Sequence, residues 1–98
     1  MAIKIGKLKN LKLYFDEKEG GIFIYTKNID SNTITAFSFF CSRYLGKSVI
    51  TLKPTFLKVP CEMGELLKVA KKMSKYEPIK INFRVLKGFL AKRFADKV

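Results

Sequence analysis

The hydrophobic period of this chain changes near Pro60, and that change limits what the chain can fold into. Upstream, apolar residues recur every second position. Leu11, Leu13 and Phe15 are separated by Lys12 and Tyr14, while Ile22, Ile24 and Thr26 are interleaved with Phe23, Tyr25 and Lys27. A period of two places alternate side chains on opposite faces of a strand. Downstream, Met63, Leu66, Leu67, Ala70 and Met73 follow helical spacing and form one apolar stripe. One such helix covers only one face of a sheet. The other face must meet solvent, a second subunit or a ligand.

Punctuation marks the remaining elements. Ile3 and Ile5 share the odd parity of Leu11–Phe15, but Lys7-Leu8-Lys9 inverts it, so a bulge or break is expected near Gly6 or Asn10. Asp16–Gly21 is a polar turn ending in two glycines, and Asn28–Asn32 is a second turn. Thr33–Phe40, rich in Thr, Ile and Phe, reads as a third strand, followed by a basic loop at Ser42–Lys47. Ser48–Lys53 reads as a fourth strand stopped by Pro54, and Thr55–Val59 as extended. Glu62 and Glu65 in the first turn of the helix, with Lys71, Lys72 and Lys75 in its last, complement its dipole. Ile79–Val85 alternates again as a possible fifth strand. Leu86, Phe89, Leu90 and Phe94 give residues 86–98 the look of a basic amphipathic tail. It packs on the sheet or on a second copy in preference to a membrane surface, because it is short and interrupted by Gly88. The expectation is a single α+β domain over residues 1–98. Its architecture is a curved antiparallel sheet of four to five strands followed by one packing helix (ββββα).

Composition removes whole classes of chemistry. Without histidine there is no Ser-His-Asp triad, no Cys-His pair and no His-ligated metal. Cys41 and Cys61 lack C-x-x-C spacing and read as buried or idle thiols. Gly46-Lys47-Ser48 resembles the end of a phosphate-binding loop, but Cys41 occupies the position of the required glycine and a strand follows. Asp16, Glu17 and Glu19, with Lys18 among them, read as a solvated turn. No catalytic constellation emerges, and the chain is read as non-enzymatic, with no cofactor or metal. Its longest apolar runs fall short of the roughly 20 residues that cross a bilayer, and Met1–Lys12 holds no signal-peptide core. A soluble, intracellular protein is the expectation.

The charge is uneven. Twenty Lys and Arg against eight Asp and Glu give a formal +12. Residues 1–15 carry four lysines and no acid, and residues 31–60 hold Arg43, Lys47, Lys53 and Lys58 with no acid. The acids cluster at the Asp16–Glu19 turn, at Asp30 and around the entrance of the helix. Such an excess repels itself and favours a polyanionic partner, nucleic acid before a membrane surface. A lysine-rich solubilising coat is the plainer explanation. With 17 Lys and three Arg, bidentate base reading in a duplex groove is disfavoured. Aromatic and basic side chains interleave at Lys12, Tyr14, Phe23, Tyr25 and Lys27, and again at Arg43, Tyr44 and Lys47. This mixture stacks bases and tracks phosphates on a single strand. For the phenylalanines, core packing is the better reading. For Tyr14, Tyr25 and Tyr44, whose hydroxyls prefer a wet edge, a contact surface is.

The element order and local wording resemble the single-stranded DNA-binding fold shared by the transcriptional coactivator positive cofactor four and the plant Whirly proteins. Ile5-Gly6-Lys7-Leu8-Lys9, the alternating strand after it, the charged turn and Gly21-Ile22-Phe23-Ile24 look like the coactivator's opening hairpin. Gly46–Pro54 looks like the basic strand motif of the Whirly family, and Pro60–Leu66 like the entrance to a Whirly helix. The Gly46–Pro54 stretch comes later here than in Whirly, which leaves the coactivator-like ββββα unit as the closer model. The resemblance spans roughly residues 3–75. It implies an intertwined homodimer with packed helices and a curved DNA-binding channel. By position it implies phosphate contacts at Lys7, Lys9, Lys12, Lys47 and Lys53, and stacking at Tyr14, Phe23, Tyr25 and Tyr44. The expected function is sequence-independent single-stranded DNA binding. RNA binding, or a protein-interaction module of transcription or virus biology, is the alternative.

Overall fold

The computed structural model describes residues 2–27 and 30–97, and only the backbone of Leu90 and of residues 93–97. Among these are six strands and three helices in the order βββαββαβα. They are β1 (Ile3–Leu8), β2 (Leu11–Asp16), β3 (Gly21–Tyr25), α1 (Ser31–Leu45), β4 (Ile50–Lys53), β5 (Phe56–Pro60), α2 (Met63–Lys75), β6 (Ile79–Ile81) and α3 (Phe83–Lys97). The strands form one open antiparallel sheet ordered β4-β5-β3-β2-β1-β6. The α+β class holds, but the sheet is larger than four to five strands, and one helix does not simply follow four strands.

The main correction concerns Thr33–Phe40, which is helix and not a third strand. Asp30 caps it: its Oδ1 accepts from the Thr33 backbone N–H at 2.7 Å and from the Thr33 hydroxyl at 2.9 Å. That satisfies donors the first turn would otherwise leave orphaned. Thr33, Phe37, Phe40, Cys41 and Leu45 point into the core at helical spacing, and this tertiary burial overrides the β-propensity of Thr, Ile and Phe. Gly46 ends the helix in the left-handed region, with φ 65° and its N–H donating to the Ser42 carbonyl. Much of the expected Ser42–Lys47 loop is therefore the last turn of α1. The expected Asn28–Asn32 turn lies partly outside the described residues, and Ser31 and Asn32 already belong to α1.

Two smaller corrections lie at the C-terminus. The strand stops at Ile81, short of Val85, because Asn82 starts α3 by accepting the Val85 N–H at 3.3 Å. Residues 86–97 are thus the greater part of a helix that begins at Phe83, and Val98 lies outside the described residues. Leu86 is buried and Phe89 packs partly against the core, its ring 6.2 Å from that of Phe15. The side chains of Leu90 and Phe94 lie outside the described residues.

The bulge foreseen near Gly6 is present, between Lys4 and Gly6. It lets Ile5 bury fully although Ile3 and Leu8 frame it with opposite parity. Gly6 itself is required by close approach, since a Cβ there would collide with the Lys80 carbonyl oxygen on β6. The inward residues Ile5, Leu8, Leu13, Phe15, Ile22, Ile24, Leu57, Val59 and Ile79 form one core with Phe37 of α1, Leu66 and Met73 of α2, and Leu86 of α3. At about 1.5–3 kcal/mol per large buried apolar side chain, this one-sided core supplies the main driving force for folding. The opposite face of the sheet carries no layer of described residues.

Candidate nucleic-acid interface

Strand pairing fixes which side chains share the uncovered face. Tyr14 stands opposite Lys4 on β1 and Phe23 on β3, and Phe23 stands opposite Lys58 on β5. One step along the sheet, Lys7 stands opposite both Lys12 and Lys80, and Tyr25 opposite Phe56. The face is therefore divided. Its β6-β1-β2 side is lysine and its β2-β3-β5 side is aromatic.

On the aromatic side, Phe56 lies between two partners. Its ring centroid is 4.7 Å from that of Tyr25 with planes 16° apart, and 5.4 Å from that of Phe23 with planes 23° apart. Near-parallel offset rings form a shelf, a favourable arrangement for π systems. Phe23 is buried at 9% exposure, with Lys58 Nζ 5.4 Å from its ring centre, so it supports the shelf and offers no ring to a ligand. Tyr25, at 60% exposure, offers one. A groove of about 410 Å³ runs over these rings, lined by Ala2, Tyr14, Asp16, Glu19, Phe23, Tyr25, Leu52 and Phe56. Asp16 and Glu19, of the turn after β2, border one end of it. Asp16 is locked there, its Oδ1 accepting the N–H groups of Lys18 at 3.0 Å and Glu19 at 3.1 Å. Lys58 Nζ donates to the Glu19 carbonyl at 2.8 Å, tying the turn to β5.

On the lysine side, a second hollow of about 330 Å³ is lined by Lys4, Gly6, Lys7, Lys80, Ile81 and Asn82. Three ammonium-bearing side chains and, among the described residues, no carboxylate line it. Lys4, Lys7, Lys12 and Lys80 are all exposed. Four like charges on neighbouring strands repel one another, a cost that an anion laid among them relieves.

The expected site residues do not all meet. Lys7, Lys12, Tyr14, Phe23 and Tyr25 share the uncovered face, and Lys53, opposite Phe56 on edge strand β4, borders it. Lys27 is exposed in the turn beyond β3. Arg43, Tyr44 and Lys47 belong to α1 and the loop after it, in the helix layer across the sheet. There Tyr44 packs on Phe40 at 4.7 Å, flanked by Arg43 at 5.9 Å and Lys72 at 5.7 Å, and Lys47 Nζ pairs with Glu65 at 3.5 Å. Lys9 is engaged too. It sits at φ 52° in the β1–β2 turn, its N–H donating to the Pro78 carbonyl and its Nζ 3.1 Å from Asp30 Oδ2. The resemblance-based contacts at Lys9, Lys47 and Tyr44 are thus separated from the lysine–aromatic face. Phe56, Lys58, Lys4 and Lys80 join it unforeseen. The alternation of Phe56 and Lys58 with Leu57 and Val59 was the available signal.

No protein-family model, no curated protein and no solved structure matches this chain. Among the described residues, no cluster of His, Cys, Asp and Glu could hold a metal ion, and no helix is long and apolar enough to cross a membrane. Burial pushes the Cys41 thiol up to about 12 and the Cys61 thiol up to about 11. Both stay protonated at neutral pH, and a protonated thiol is a poor nucleophile. The Glu65 carboxylate is held below its usual range, first by accepting the Glu62 backbone N–H at 3.0 Å and then by Lys47. It serves the start of α2.

Proposed function

We propose that the uncovered sheet face is a platform for single-stranded nucleic acid, with DNA as the working substrate. The observation that carries this reading is the division of one face into an exposed lysine field and an adjoining shelf of near-parallel aromatic rings. A nucleotide has the same division, an anionic backbone and a flat base. Lys4, Lys7, Lys12 and Lys80 would neutralise phosphates as point charges, and Tyr25 and Tyr14 would receive bases on their accessible surfaces. Paired bases in a duplex are already stacked and present only their edges, so the shelf favours single strands. Lysine charge and ring stacking read little sequence, which fits the near absence of arginine.

The test is fluorescence anisotropy with a labelled oligothymidylate and a matched duplex across a salt series. Four neutralised phosphates give a slope of log K against log salt of about −2.8 with the single-strand coefficient. Weaker duplex binding is expected throughout. Salt-independent binding, or equal affinity for both forms, would overturn the reading. A matched RNA oligomer reports whether the 2′-hydroxyl contributes.

A further inference from the structure

A second aromatic assembly lies in the helix layer, between α1 and the end of α2. Phe40 is held between two rings, Tyr44 at 4.7 Å and Tyr76 at 5.5 Å, the latter with planes 16° apart. Tyr76 is itself anchored, its N–H donating to the Met73 carbonyl at 3.1 Å as α2 ends. Beside this row a hollow of about 480 Å³ is lined by Asn32, Thr35, Ala36, Phe39, Phe40 and Tyr76. None of these side chains is charged. Phe39 lines it while 69% exposed, and among the described residues no ring packs on it. Phe37 and Phe40 already seat α1 on the core, and Phe39 takes no part in it.

From Asn32 to Phe39 the hollow follows α1 for about 10 Å at 1.5 Å per residue, the distance between apolar anchors at i and i+7 on a second helix. Arg43 comes one turn beyond Phe39. Arg43 and Lys72 of α2 flank the same Tyr44 ring, at 5.9 Å and 5.7 Å. No position of α1 is acidic, and α2 from Leu66 to Lys75 holds four lysines and no acid. The acids nearest in the chain are Glu77, after Tyr76, and Asp30, which pairs with Lys9 at the start of α1. We infer that this hollow docks an acidic amphipathic helix of another protein. Its apolar side chains sit over Phe39, Phe40 and Tyr76, and its carboxylates reach Arg43 and Lys72. A second copy of this chain is a poor occupant, because it carries the same +12 and brings like charges together. A flat bilayer surface does not fill a recess. Nucleic acid finds little to stack on, since Tyr44 and Tyr76 already pack against Phe40 and only Phe39 is left for a base. The surface is separate from the sheet platform and does not depend on its function.

The experiment titrates the protein into a fluorescein-labelled helical peptide of Leu, Ala and Glu, with leucines at i, i+3, i+4 and i+7, read by anisotropy. One control peptide has its leucines replaced by alanine, and another its glutamates by glutamine. The parent peptide is expected to bind, and each control about tenfold more weakly. Phe39→Ala, an exposed substitution that leaves the fold intact, is expected to weaken the parent peptide about tenfold, as loss of an aromatic anchor does. Arg43→Glu with Lys72→Glu is expected to match that loss and to flatten the salt dependence. Tyr25→Ala, on the other face, should leave the peptide's affinity unchanged. Oligothymidylate binding should be unchanged in Phe39→Ala, so the two surfaces are read separately. No binding of the parent peptide would overturn the inference. Equal binding of the alanine control would too, by showing attraction to net charge alone, as would wild-type affinity in Phe39→Ala. Phe39-dependent sedimentation with phosphatidylserine vesicles, or Phe39-dependent dimerisation, in place of peptide binding would assign the surface to a membrane or a second copy and overturn it as well.

Discussion

Leu13, Phe15, Ile22 and Ile24 are fully or almost fully buried beneath the helices, while their immediate neighbours Lys12, Tyr14, Phe23 and Tyr25 lie on a face that no helix covers. The same four-residue stretches of β2 and β3 thus carry two kinds of selection. The covered face tolerates only shape and apolarity. The uncovered face carries charge in one half and aromatic area in the other, and exposed rings contribute little to a fold that already has a core. Of these rings Tyr25 is the exposed one, at 60%, and the water around it adds nothing to the stability of the fold. On the proposed reading that ring serves as contact area for a flat, anionic ligand.

Truncating one residue on each face separates the two roles most strongly. Phe37→Ala, beneath the sheet, is expected to cost about 3–5 kcal/mol in denaturant unfolding. Tyr25→Ala, on the other face, should stay within about 0.5 kcal/mol, as exposed substitutions do. A large loss at Tyr25 would mean that its ring belongs to the core. Charge reversal separates the two layers next. Lys7→Glu with Lys12→Glu should weaken oligothymidylate binding more than tenfold, since each neutral replacement alone removes about 0.7 from the salt slope. Arg43→Glu, on the helix layer, should leave binding nearly unchanged. Equal losses would show that a diffuse positive field, and not this face, attracts the strand.

Smaller effects follow from titrating groups. The Asp30 carboxyl is held down to about 2, first by the Thr33 backbone N–H, then by the Thr33 hydroxyl and Lys9. A depressed acid stabilises the fold above its ordinary value of 3.8, and that contribution is lost as pH falls toward 2. Asp30→Asn should therefore flatten the stability profile between about pH 4 and 2, measured by thermal melts, with a modest loss at neutral pH. The two thiols act at the other extreme. Their raised values mean that stability is intact below the ordinary 9.0 and is lost as pH rises through about 11 and 12. Cys41→Ala should reduce that alkaline loss.

The strands β2 and β3, joined by the Asp16–Gly21 turn, were legible because alternation marks them and their inward residues are buried. Lys7-Leu8-Lys9 was legible as out of step with Ile3 and Ile5, and the bulge between Lys4 and Gly6 accounts for it. The helix α1 was obscured by Thr33, Ile34, Phe37, Phe39 and Phe40, residues that favour strands when judged singly. Its period and its ends were nevertheless present, in Asp30 three positions before Thr33 and in Gly46 just past Leu45. The site was half legible for a related reason. Parity along β2 and β3 assigned Lys12, Tyr14, Phe23 and Tyr25 to one face, but parity alone does not say which strands are neighbours. Lys4, Lys80 and Phe56 enter only through the order β5-β3-β2-β1-β6, and Arg43, Tyr44 and Lys47 leave once Thr33–Phe40 becomes a helix.

Chemical-shift mapping of the labelled protein during titration with an oligothymidylate reports directly which face meets the strand. Perturbations concentrated at Lys4, Lys7, Lys12, Tyr14, Tyr25, Phe56 and Lys80, with α1 and α2 silent, are the predicted result. Perturbations centred on Arg43, Tyr44, Lys47 and Lys72 would contradict it.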